Sequence, residues 1–382
     1  MQTLSEQDRA ALVEATRSFA ALRLAPNASR WDAGKIFPVD TLREAGALGL
    51  GGLYVGESAG GLGLSRLDTV AIFEQLAMGD TTIAAYVSIH NMVAWMIDTF
   101  GDDAQRAQWL PRVVAMEHLA SYCLTEPGAG SDAAAITTSA RADGDDYVIN
   151  GTKQFISGAG ASAVYLVMVR TGVQGPHGLS ALLVPVDAPG LGFGANENKM
   201  GWRAQPTRQV IFDDVRVPRA NRLSAEGDGF AIAMAGLNGG RLNIGACSLG
   251  GAQWAMSQAL RYVQQREAFG ETLAANQSIV FTLAEMETEL QGARALLAWA
   301  AQKLDAGDTD AVATCALAKR FATDAGFRVA NEALQLRGGY GYLHEYGIER
   351  VVRDLRVHQI LEGTNEIMKL IVGRELLERN HT

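Results

Sequence analysis

The spacing of apolar residues along this 382-residue chain changes twice. Up to about residue 118 they recur with the period of an amphipathic helix, from about 119 to 222 they recur at every second position, and from about 227 the helical period returns. A helical pattern cannot bury its apolar face as a strand, so these segments must form separate units. We therefore predict three domains, over residues 1–118, 119–226 and 227–382: a helical domain, a middle antiparallel β domain with a barrel-like form, and a C-terminal four-helix bundle.

Two serine–acid pairs mark helix starts in the first domain. Ser5 precedes Asp8, and Ser65 precedes Asp68, by three positions, each ahead of an apolar-periodic run. This spacing predicts a capping box at each site, in which both side chains satisfy free amide N–H groups of the first helical turn. Pro38 fits the first position of a further helix, because the N–H group that proline lacks would have no partner there.

Turn signals and period-two runs define the β domain. Asp143-Gly144 and Asn150-Gly151 are typical of two-residue hairpin turns, in which both residues need positive φ. We therefore expect short strands on either side of each turn. The predicted strands cover residues 145–149, 153–156, 163–169, 179–186 and 209–217.

The last domain has long helical segments separated by glycines. Gly270 and Gly307 interrupt the helical period, and Asp308 is placed to cap the helix that follows the second break. Four long helices in succession are typical of a bundle. The predicted helices cover residues 228–266, 276–304, 308–337 and 362–379.

Charge and composition exclude several classes of protein. The formal net charge of −9 argues against binding to nucleic acid or to an anionic membrane, since both need a basic face. Three separated cysteines and six scattered histidines form no disulfide or metal pattern. The apolar stretch Thr81–Ile97 is too short to span a membrane and predicts a buried core helix. The polar and acidic amino terminus resembles neither a signal peptide nor a transit peptide, so we expect a soluble cytoplasmic protein. The scattered histidines lead us to expect no metal site.

Two glycine-rich segments have the G-x-G-x-x-A spacing of a dinucleotide fingerprint, Gly128–Ala133 and Gly158–Ala163. The fingerprint needs a strand before it and a helix after it in a parallel βαβ unit, whereas both segments lie in or beside the predicted antiparallel region. We therefore expect no Rossmann-type nicotinamide site. A glycine-rich turn can form an anion nest in any fold, and for the first segment a plain turn and a cofactor loop both fit the spacing.

Glu362 fits the description of a general base. It is the only charge in an apolar approach and is followed by Gly363. A carboxylate in a partly apolar pocket has a raised pKa, which suits a base. The residue could instead complement the dipole of the helix predicted from 362 onward, and Glu366 competes for either role. The sequence contains no G-x-S-x-G elbow, so it gives no sign of acyl transfer through a covalent nucleophile.

The domain order and four motifs together resemble the acyl-CoA dehydrogenase family over essentially the whole chain. The motifs occur in the family's order and cover residues 122–132, 265–270, 336–342 and 360–366. Finer features at 155–160, 205–208, 236–241 and 357–363 resemble the branch that acts on isobutyryl-CoA. The resemblance implies noncovalent FAD and α,β-dehydrogenation of a short branched-chain acyl-CoA, from isobutyryl-CoA to methacrylyl-CoA in valine breakdown. It also implies that electrons pass to an electron-transfer flavoprotein.

Residue roles follow from the same resemblance. Glu362 matches the family's catalytic base, and Gly240 stands where isovaleryl-type members carry theirs. Gly363 beside the base would leave room for the thioester. The implied acyl-CoA contacts are Ser131, Asn238, Gly239, Gly240, Arg241, Gly363 and Arg374. The implied FAD contacts are Tyr122, Leu124, Thr125, Gly130, Ser131, Phe155, Ile156, Ser157, Arg266, Phe269, Asn276, Gln277, Gln335, Leu336, Arg337, Gly338, Gly339, Thr364, Asn365 and Glu366.

Some of these FAD contacts match residues that reach a neighbouring subunit's cofactor, which implies at least a dimer and, by the family's habit, a tetramer. Most of the wider family has Trp and Thr where this chain has Phe155 and Ser157, although the isobutyryl branch shares the change. Three alternatives remain open. They are a dehydrogenase for other short or 2-methyl-branched acyl-CoA thioesters, an acyl-CoA oxidase or flavin monooxygenase on the same fold, and a non-catalytic acyl-CoA-binding protein.

Overall fold

The chain forms a helical region, a β-sheet and a second helical region, as predicted. The structure is a computed structural model and describes residues 5–379. In that part of the chain, six α-helices precede the first strand. They are α1 (Glu6–Phe19), α2 (Ala28–Gly34), α3 (Val39–Ala47), α4 (Arg66–Gly79), α5 (Thr81–Phe100) and α6 (Asp103–Val114).

The predicted helix starts are confirmed at the serines. Ser5 and Ser65 each accept the N–H of the residue three positions on, at 3.1 Å. The acid side chain then accepts the serine hydroxyl instead of a helix N–H group, so only half of each predicted capping box forms. Pro38 is not the first helical residue; it is the cap, one position before α3. Its φ of −86° and ψ of 69° are outside the helical range.

One eight-stranded sheet follows, with strand order β6-β7-β3-β2-β4-β5-β8 and with β1 beside β4. Most pairs are antiparallel, as predicted, but β4 pairs in parallel with β1 and, at Ser139 and Arg170, with β2. Strands β2 and β3 lie between β1 and β4 in sequence and provide the crossover that a parallel pair needs. The strands are β1 (Ala120–Cys123), β2 (Ser139–Asp143), β3 (Asp146–Ser157), β4 (Val164–Arg170), β5 (Leu179–Pro185), β6 (Leu191–Phe193), β7 (Thr207–Pro218) and β8 (Arg222–Leu223).

The two predicted turns of the sheet have different outcomes. A hairpin joins β2 and β3 as predicted, but its two loop residues are Gly144 and Asp145, because Asp143 pairs with Asp146 at the end of β2. Of residues 143–145, only Gly144 has positive φ, at +61°. Asn150-Gly151 is not a turn: β3 continues through it, with a register shift against β7. Gly151 has φ +145°, and a Cβ there would lie 2.6 Å from Thr138 Oγ1. A β-bulge and a hairpin turn both favour glycine, which explains the wrong prediction.

The C-terminal helices match the prediction closely, with one addition. They are α7 (Gly229–Gln265), α8 (Gln277–Ala306), α9 (Ala311–Leu336), the additional α10 (Ile348–Arg356) and α11 (Asn365–Arg379). A short hairpin of β9 (Glu267–Ala268) and β10 (Glu271–Thr272) follows α7. Asp308 does not cap α9, which begins three residues later after Asp310; its carboxylate instead lies 3.5 Å from Lys303 Nζ.

Helix α5 forms part of the core, as predicted from its length. His90, on this helix, bridges two elements: its Nε2 bonds to the Val113 carbonyl at 2.9 Å, and its Nδ1 accepts the Ala120 N–H at 3.2 Å. This histidine thereby positions β1 beside α5. Helix α7 packs against α4, α5 and α9, so the middle of α7 lies where the domains meet. No helix within residues 5–379 is long and apolar enough to cross a membrane.

Candidate active site

Glu362 lies in a tight turn immediately before α11, not inside that helix. Its φ is +54° and that of Gly363 is +92°. A left-handed conformation costs a residue other than glycine about 1–3 kcal/mol. A Cβ at Gly363 would also lie 2.6 Å from Met368 Cε. The left-handed backbone and this close contact both favour glycine at 363, whether or not a thioester needs the space. The alternative interpretation of Glu362 as a first-turn helix residue is therefore wrong.

Glu362 is half-buried as a residue, but one oxygen of its carboxyl group is shielded from water. Its Oε2 atom is buried and has no hydrogen-bond partner among residues 5–379. Burial raises the pKa of Glu362 to about 7, although the positive charges of Lys319 and Arg241 oppose the shift. A carboxyl group with this pKa is suited to accept a proton near neutral pH.

Two glycines of α7 make space for side chains from distant parts of the chain. A Cβ at Gly240 would lie 2.2 Å from Oε2 of Glu362. A Cβ at Gly239 would lie 2.4 Å from Nη1 of Arg66, whose guanidinium stacks 3.7 Å from the centre of the Tyr54 ring. Gly240 therefore lies against the carboxyl group of Glu362. This agrees with the expectation that positions 240 and 362 are alternative places for the catalytic base.

The residues after the turn have structural roles at the start of α11. Thr364 Oγ1 accepts the N–H of Ile367 at 3.3 Å and caps the helix. Asn365 is buried, and its side-chain amide bonds to Lys319, Thr323 and Asp324 of α9. Glu366 is exposed, and hydrogen bonds from its own backbone N–H and from Thr364 lower its pKa. Only Glu362 of the two competing acids lies in the buried site.

Two buried cations hold the carbonyl groups of the turn. Arg241, on α7, donates through Nε to the Glu362 carbonyl at 3.4 Å and through Nη1 to Asn238 Oδ1 at 2.8 Å. Lys319, on α9, donates to the Gly363 carbonyl at 2.8 Å. Arg241 and Asn238 are at predicted positions, but sequence reasoning misses Lys319. One available signal is that Ala316 and Ala322, three positions away on either side, share its helix face, since a charged residue on an alanine-rich face need not face solvent.

A buried ion pair fixes the loop predicted to hold the flavin, residues 122–131. Lys153, on β3, donates to Glu126 Oε1 at 2.8 Å and to a carbonyl of the loop at 3.0 Å. Glu126 also accepts the N–H groups of Thr137 and Thr138 at 2.7 and 2.9 Å. Burial alone would raise the pKa of Glu126, but Lys153 and these hydrogen bonds outweigh it and lower the pKa to about 2. The loop is therefore tied to β3.

The second predicted flavin segment, residues 155–157, ends β3 beside that loop. A backbone hydrogen bond of 2.8 Å joins β3 to the loop, and Ser121 Oγ donates to the Ser157 carbonyl at 2.6 Å. Phe155 has φ +59°, and its ring is 63% exposed. The structure thus brings the two predicted flavin segments together and leaves an aromatic ring uncovered.

Tyr122, the first residue of the loop 122–131, is close enough to Glu362 to be affected by its charge. Its hydroxyl is buried and has no hydrogen-bond partner within the described residues. Burial first, and then the charges of Cys123 and Glu362, raise the pKa of Tyr122 above its usual range. The charge of Glu362 therefore reaches Tyr122, so the end of β1 lies near the turn before α11.

A second group of predicted contacts lies at the far end of α7. Arg266 follows the last residue of this helix, about 35–40 Å from Gly240 along its axis at 1.5 Å per residue. Phe269 is fully exposed there, and Arg337 stacks 5.2 Å from the centre of the Tyr262 ring. The structure does not bring this group to the Glu362 turn. Its other members are Asn276, Gln277, Gln335, Leu336, Gly338 and Gly339.

The two glycine-rich segments form turns and not Rossmann fingerprints, as predicted. Gly128–Ala133 runs into a short 3₁₀ turn, and Gly158–Ala163 joins β3 to β4. Neither segment opens an α-helix in a parallel βαβ unit. Gly128 and Gly130 face open space, since a Cβ at either would meet no atom within 4 Å.

Two features lie apart from this arrangement. Arg374, a predicted substrate contact, is exposed in the second half of α11. A cavity of about 990 Å³ lies in the N-terminal region between α3 and α6, and none of the predicted site residues lines it. Within residues 5–379, no group of three or more His, Cys, Asp or Glu residues is placed to hold a metal ion.

Removing the ammonium group of the loop's ion pair should destabilise the protein strongly. We expect Lys153→Met to lower the free energy of unfolding by about 3–5 kcal/mol, because it leaves the Glu126 carboxylate buried without its cation. Because the folded-state pKa of Glu126 is depressed, its contribution to stability is complete above the unfolded value of 4.5 and is lost as the pH falls toward 2. Chemical unfolding at pH 7 and pH 3 measures both effects.

The more exposed pair of Lys303 and Asp310 provides the control for this substitution. Lys303→Met should cost far less unfolding free energy than Lys153→Met, because ion pairs near solvent contribute little to stability. Equal losses in the two variants would contradict the role assigned to the buried pair.

Comparisons with known proteins agree with this geometry. Three family models match: "Acyl-CoA dehydrogenase, N-terminal domain" over residues 6–117, "Acyl-CoA dehydrogenase, middle domain" over 121–215 and "Acyl-CoA dehydrogenase, C-terminal domain" over 227–377. Among solved structures, that of butyryl-CoA dehydrogenase from Megasphaera elsdenii is similar, with a TM-score of 0.95 and 37% identity over 99% of this chain and 100% of that chain.

Two curated relatives are more similar in sequence. The chain is 52% identical to mitochondrial isobutyryl-CoA dehydrogenase of Bos taurus, over 94% of this chain and 87% of that protein. It is 53% identical to mitochondrial isobutyryl-CoA dehydrogenase of Dictyostelium discoideum, over 95% of this chain and 88% of that protein. This chain belongs to the acyl-CoA dehydrogenase family.

Proposed function

We propose that this chain is an FAD-dependent dehydrogenase that converts isobutyryl-CoA to methacrylyl-CoA. The observation that carries the proposal is the carboxyl group of Glu362, buried without a partner for Oε2 in the space that Gly240 leaves. The identity of just over one half to two isobutyryl-CoA dehydrogenases supports the choice of substrate.

The residues around the base fit a flavin. Phe155 offers an exposed ring for stacking, Gly128 and Gly130 leave the loop backbone open to close approach, and Tyr122 has a buried hydroxyl without a partner. Residues 122–131 and 155–157 would hold the isoalloxazine end of FAD. When bound, FAD supplies the acceptor for the hydride that leaves the β-carbon of the thioester.

The residues of the chain prepare the substrate for loss of its α-proton. A thioester α-C–H is a weak acid, so the carbonyl oxygen must be stabilised as the proton leaves. Among the described residues the backbone N–H of Glu362 donates no hydrogen bond, so it is free to hold that oxygen. The Glu362 carboxylate accepts the α-proton, and its raised pKa lets it keep that proton at neutral pH.

The test is anaerobic reduction of the bound flavin by three thioesters. Isobutyryl-CoA should bleach the flavin in near-stoichiometric amount. In a separate turnover assay with an artificial electron acceptor, it should have the highest kcat/KM, ahead of 2-methylbutyryl-CoA and butyryl-CoA. Because 2-methylbutyryl-CoA is longer by one methylene, worth about 1–3 kcal/mol, a difference of about 10- to 200-fold is expected for that competitor. A preference for either competitor would move the chain to another branch of the family.

The same experiment addresses the alternative functions. Slow reoxidation of the reduced flavin in air is expected of a dehydrogenase, whereas fast reoxidation would indicate an oxidase or a monooxygenase. A purified chain that binds acyl-CoA but cannot be loaded with FAD would be a binding protein.

We propose further that the chain works as an oligomer and passes its electrons to an electron-transfer flavoprotein. The group around Arg266 and Arg337 is too far from Gly240 to contact the same flavin, which fits contact with a neighbouring subunit's cofactor. A monomeric mass in light scattering would contradict this. The cytoplasmic location remains a prediction; the bovine and Dictyostelium relatives are named as mitochondrial proteins.

A further inference from the structure

Lys319 is a fully buried lysine outside the predicted site. Its Nζ atom donates to the Gly363 carbonyl at 2.8 Å and to Asn365 Oδ1 at 3.0 Å. Among residues 5–379, no carboxylate oxygen lies within 4 Å of it. A buried ammonium group without a close anion is costly, so its position calls for an explanation other than a simple ion pair.

The first part of the explanation is the backbone of the turn. The Gly363 carbonyl belongs to the second of two successive left-handed residues, directly after Glu362. Arg241 reaches the Glu362 carbonyl at a longer 3.4 Å and already binds Asn238. Lys319 therefore makes the shorter of the two side-chain hydrogen bonds to the turn.

The second part of the explanation is the effect of the positive charge of Lys319 on the Glu362 carboxyl group. Lys319 and Arg241 are the two cations that oppose the effect of burial on the Glu362 carboxyl group. Lys319 lies on α9, Arg241 on α7, and both are buried, so water screens their charges weakly. The other groups that face Glu362 are Tyr122 on β1 and Cys247 on α7, while Lys319 is also faced by Asp324, His358 and Glu366.

We propose that Lys319 is a positioning residue for proton abstraction: its ammonium group holds the Gly363 carbonyl, and with it the turn that carries Glu362, and its charge keeps the base ionised in a buried site. The inference rests on the proposed function, in which Glu362 is the base. A competing explanation is that Lys319 only ties α9 to α11 through Asn365. The two differ in what happens to the proton affinity of Glu362.

Three substitutions at this position separate the two effects. Lys319→Gln can keep a donor for the Gly363 carbonyl but removes the charge, Lys319→Met removes both, and Lys319→Arg keeps the charge. Lys303→Met serves as a matched control, since that lysine binds Asp310 and does not contact the turn.

The readout is the rate constant of anaerobic flavin reduction by isobutyryl-CoA as a function of pH. The base must be ionised, so the wild-type rate should rise with pH through a midpoint near 7. Lys319→Gln should move this midpoint upward by about one pH unit or more, which is about a tenfold loss at pH 6. Lys319→Met should show the same shift and a lower plateau at high pH. Lys319→Arg should restore the midpoint, and Lys303→Met should leave the whole profile unchanged.

A second readout does not depend on turnover. Infrared difference spectra at varied pH report the carboxylic acid C=O stretch of Glu362, identified by its loss in Glu362→Gln. Its titration should shift upward in Lys319→Gln, in parallel with the kinetic midpoint. A lower plateau with an unchanged midpoint in both neutral variants would leave only the structural tie and overturn the proposal.

The proposal can still be refuted if one of the variants fails to fold. If Lys319→Met loses its flavin or its cooperative unfolding, the comparison of Lys319→Gln with Lys319→Arg decides, and equal midpoints for these two would refute the role of charge. Normal flavin reduction by Glu362→Gln would instead refute the proposed base itself, whatever the Lys319 variants do.

Discussion

Glu362→Gln should yield a folded, FAD-loaded protein whose flavin isobutyryl-CoA does not measurably reduce. Glutamine has nearly the shape of glutamate and fits the space beside Gly240, but it cannot accept the α-proton. Loss of a general base costs about 10²–10⁴-fold in rate, and this reaction has no other buried acid in the turn to replace it. Stopped-flow absorbance of the flavin under anaerobic conditions measures the loss, and the visible spectrum before mixing reports flavin content.

Glu366→Gln is the control for this substitution. Glu366 is exposed on the first turn of α11 and is a predicted FAD contact, so its loss should at most lower the flavin content and should leave the reduction rate of the flavin that is bound close to wild type. Near-normal reduction by Glu362→Gln, together with a large loss in Glu366→Gln, would reverse the assignment of the base.

The choice between Glu362 and Glu366 shows how much of the catalytic site can be predicted from neighbouring residues alone. The apolar approach to Glu362 and the glycine after it suggested a base, but an exposed first-turn glutamate fitted the same residues. Two facts of the fold decide: the left-handed turn that places Glu362 before α11, and burial by elements far away in the chain. Neither fact is visible in a window of a few residues.

The architecture was predictable because periodicity is a property of whole segments. The order of helical, β and helical regions and the four long helices of the last domain depend on many residues each, so single exceptions do not change them. The errors came where one or two residues carried the prediction. Asn150-Gly151 became a bulge, and Pro38 and Asp308 were each placed wrongly at a helix start, because the same residue types serve neighbouring positions equally well.

The residues that sequence reasoning missed are buried charges. Lys153 and Lys319 lie in a strand and a helix where a lysine is ordinarily expected to face solvent. Each is explained only by a partner brought close by the fold: Glu126 for the first, the Gly363 carbonyl for the second. Both hold segments of the site in place, so the missing information was the support of the site.

Gly240→Ala should separate activity from stability. The new Cβ would lie 2.2 Å from Oε2 of Glu362, which is the end of a flexible side chain and can move aside. Alanine also favours the helix over glycine by about 0.5–1 kcal/mol, so we expect unfolding free energy to remain at or near the wild-type value. The carboxyl group, however, loses its place: a displacement of about 1 Å can cost about 10²-fold in rate. The measurements are the rate of anaerobic flavin reduction and the midpoint of chemical unfolding.

Gly292→Ala tests whether that loss is specific. Gly292 lies within α8, and its Cβ would meet Phe321 at an ordinary 3.8 Å, so the same gain in helix propensity should come with an unchanged rate of flavin reduction. If Gly240→Ala reduced the flavin as fast as Gly292→Ala, the carboxyl group would not need the space that the structure gives it beside α7. If it instead lost stability and activity together, the glycine would serve the packing of α7 against its neighbours and not the position of the base.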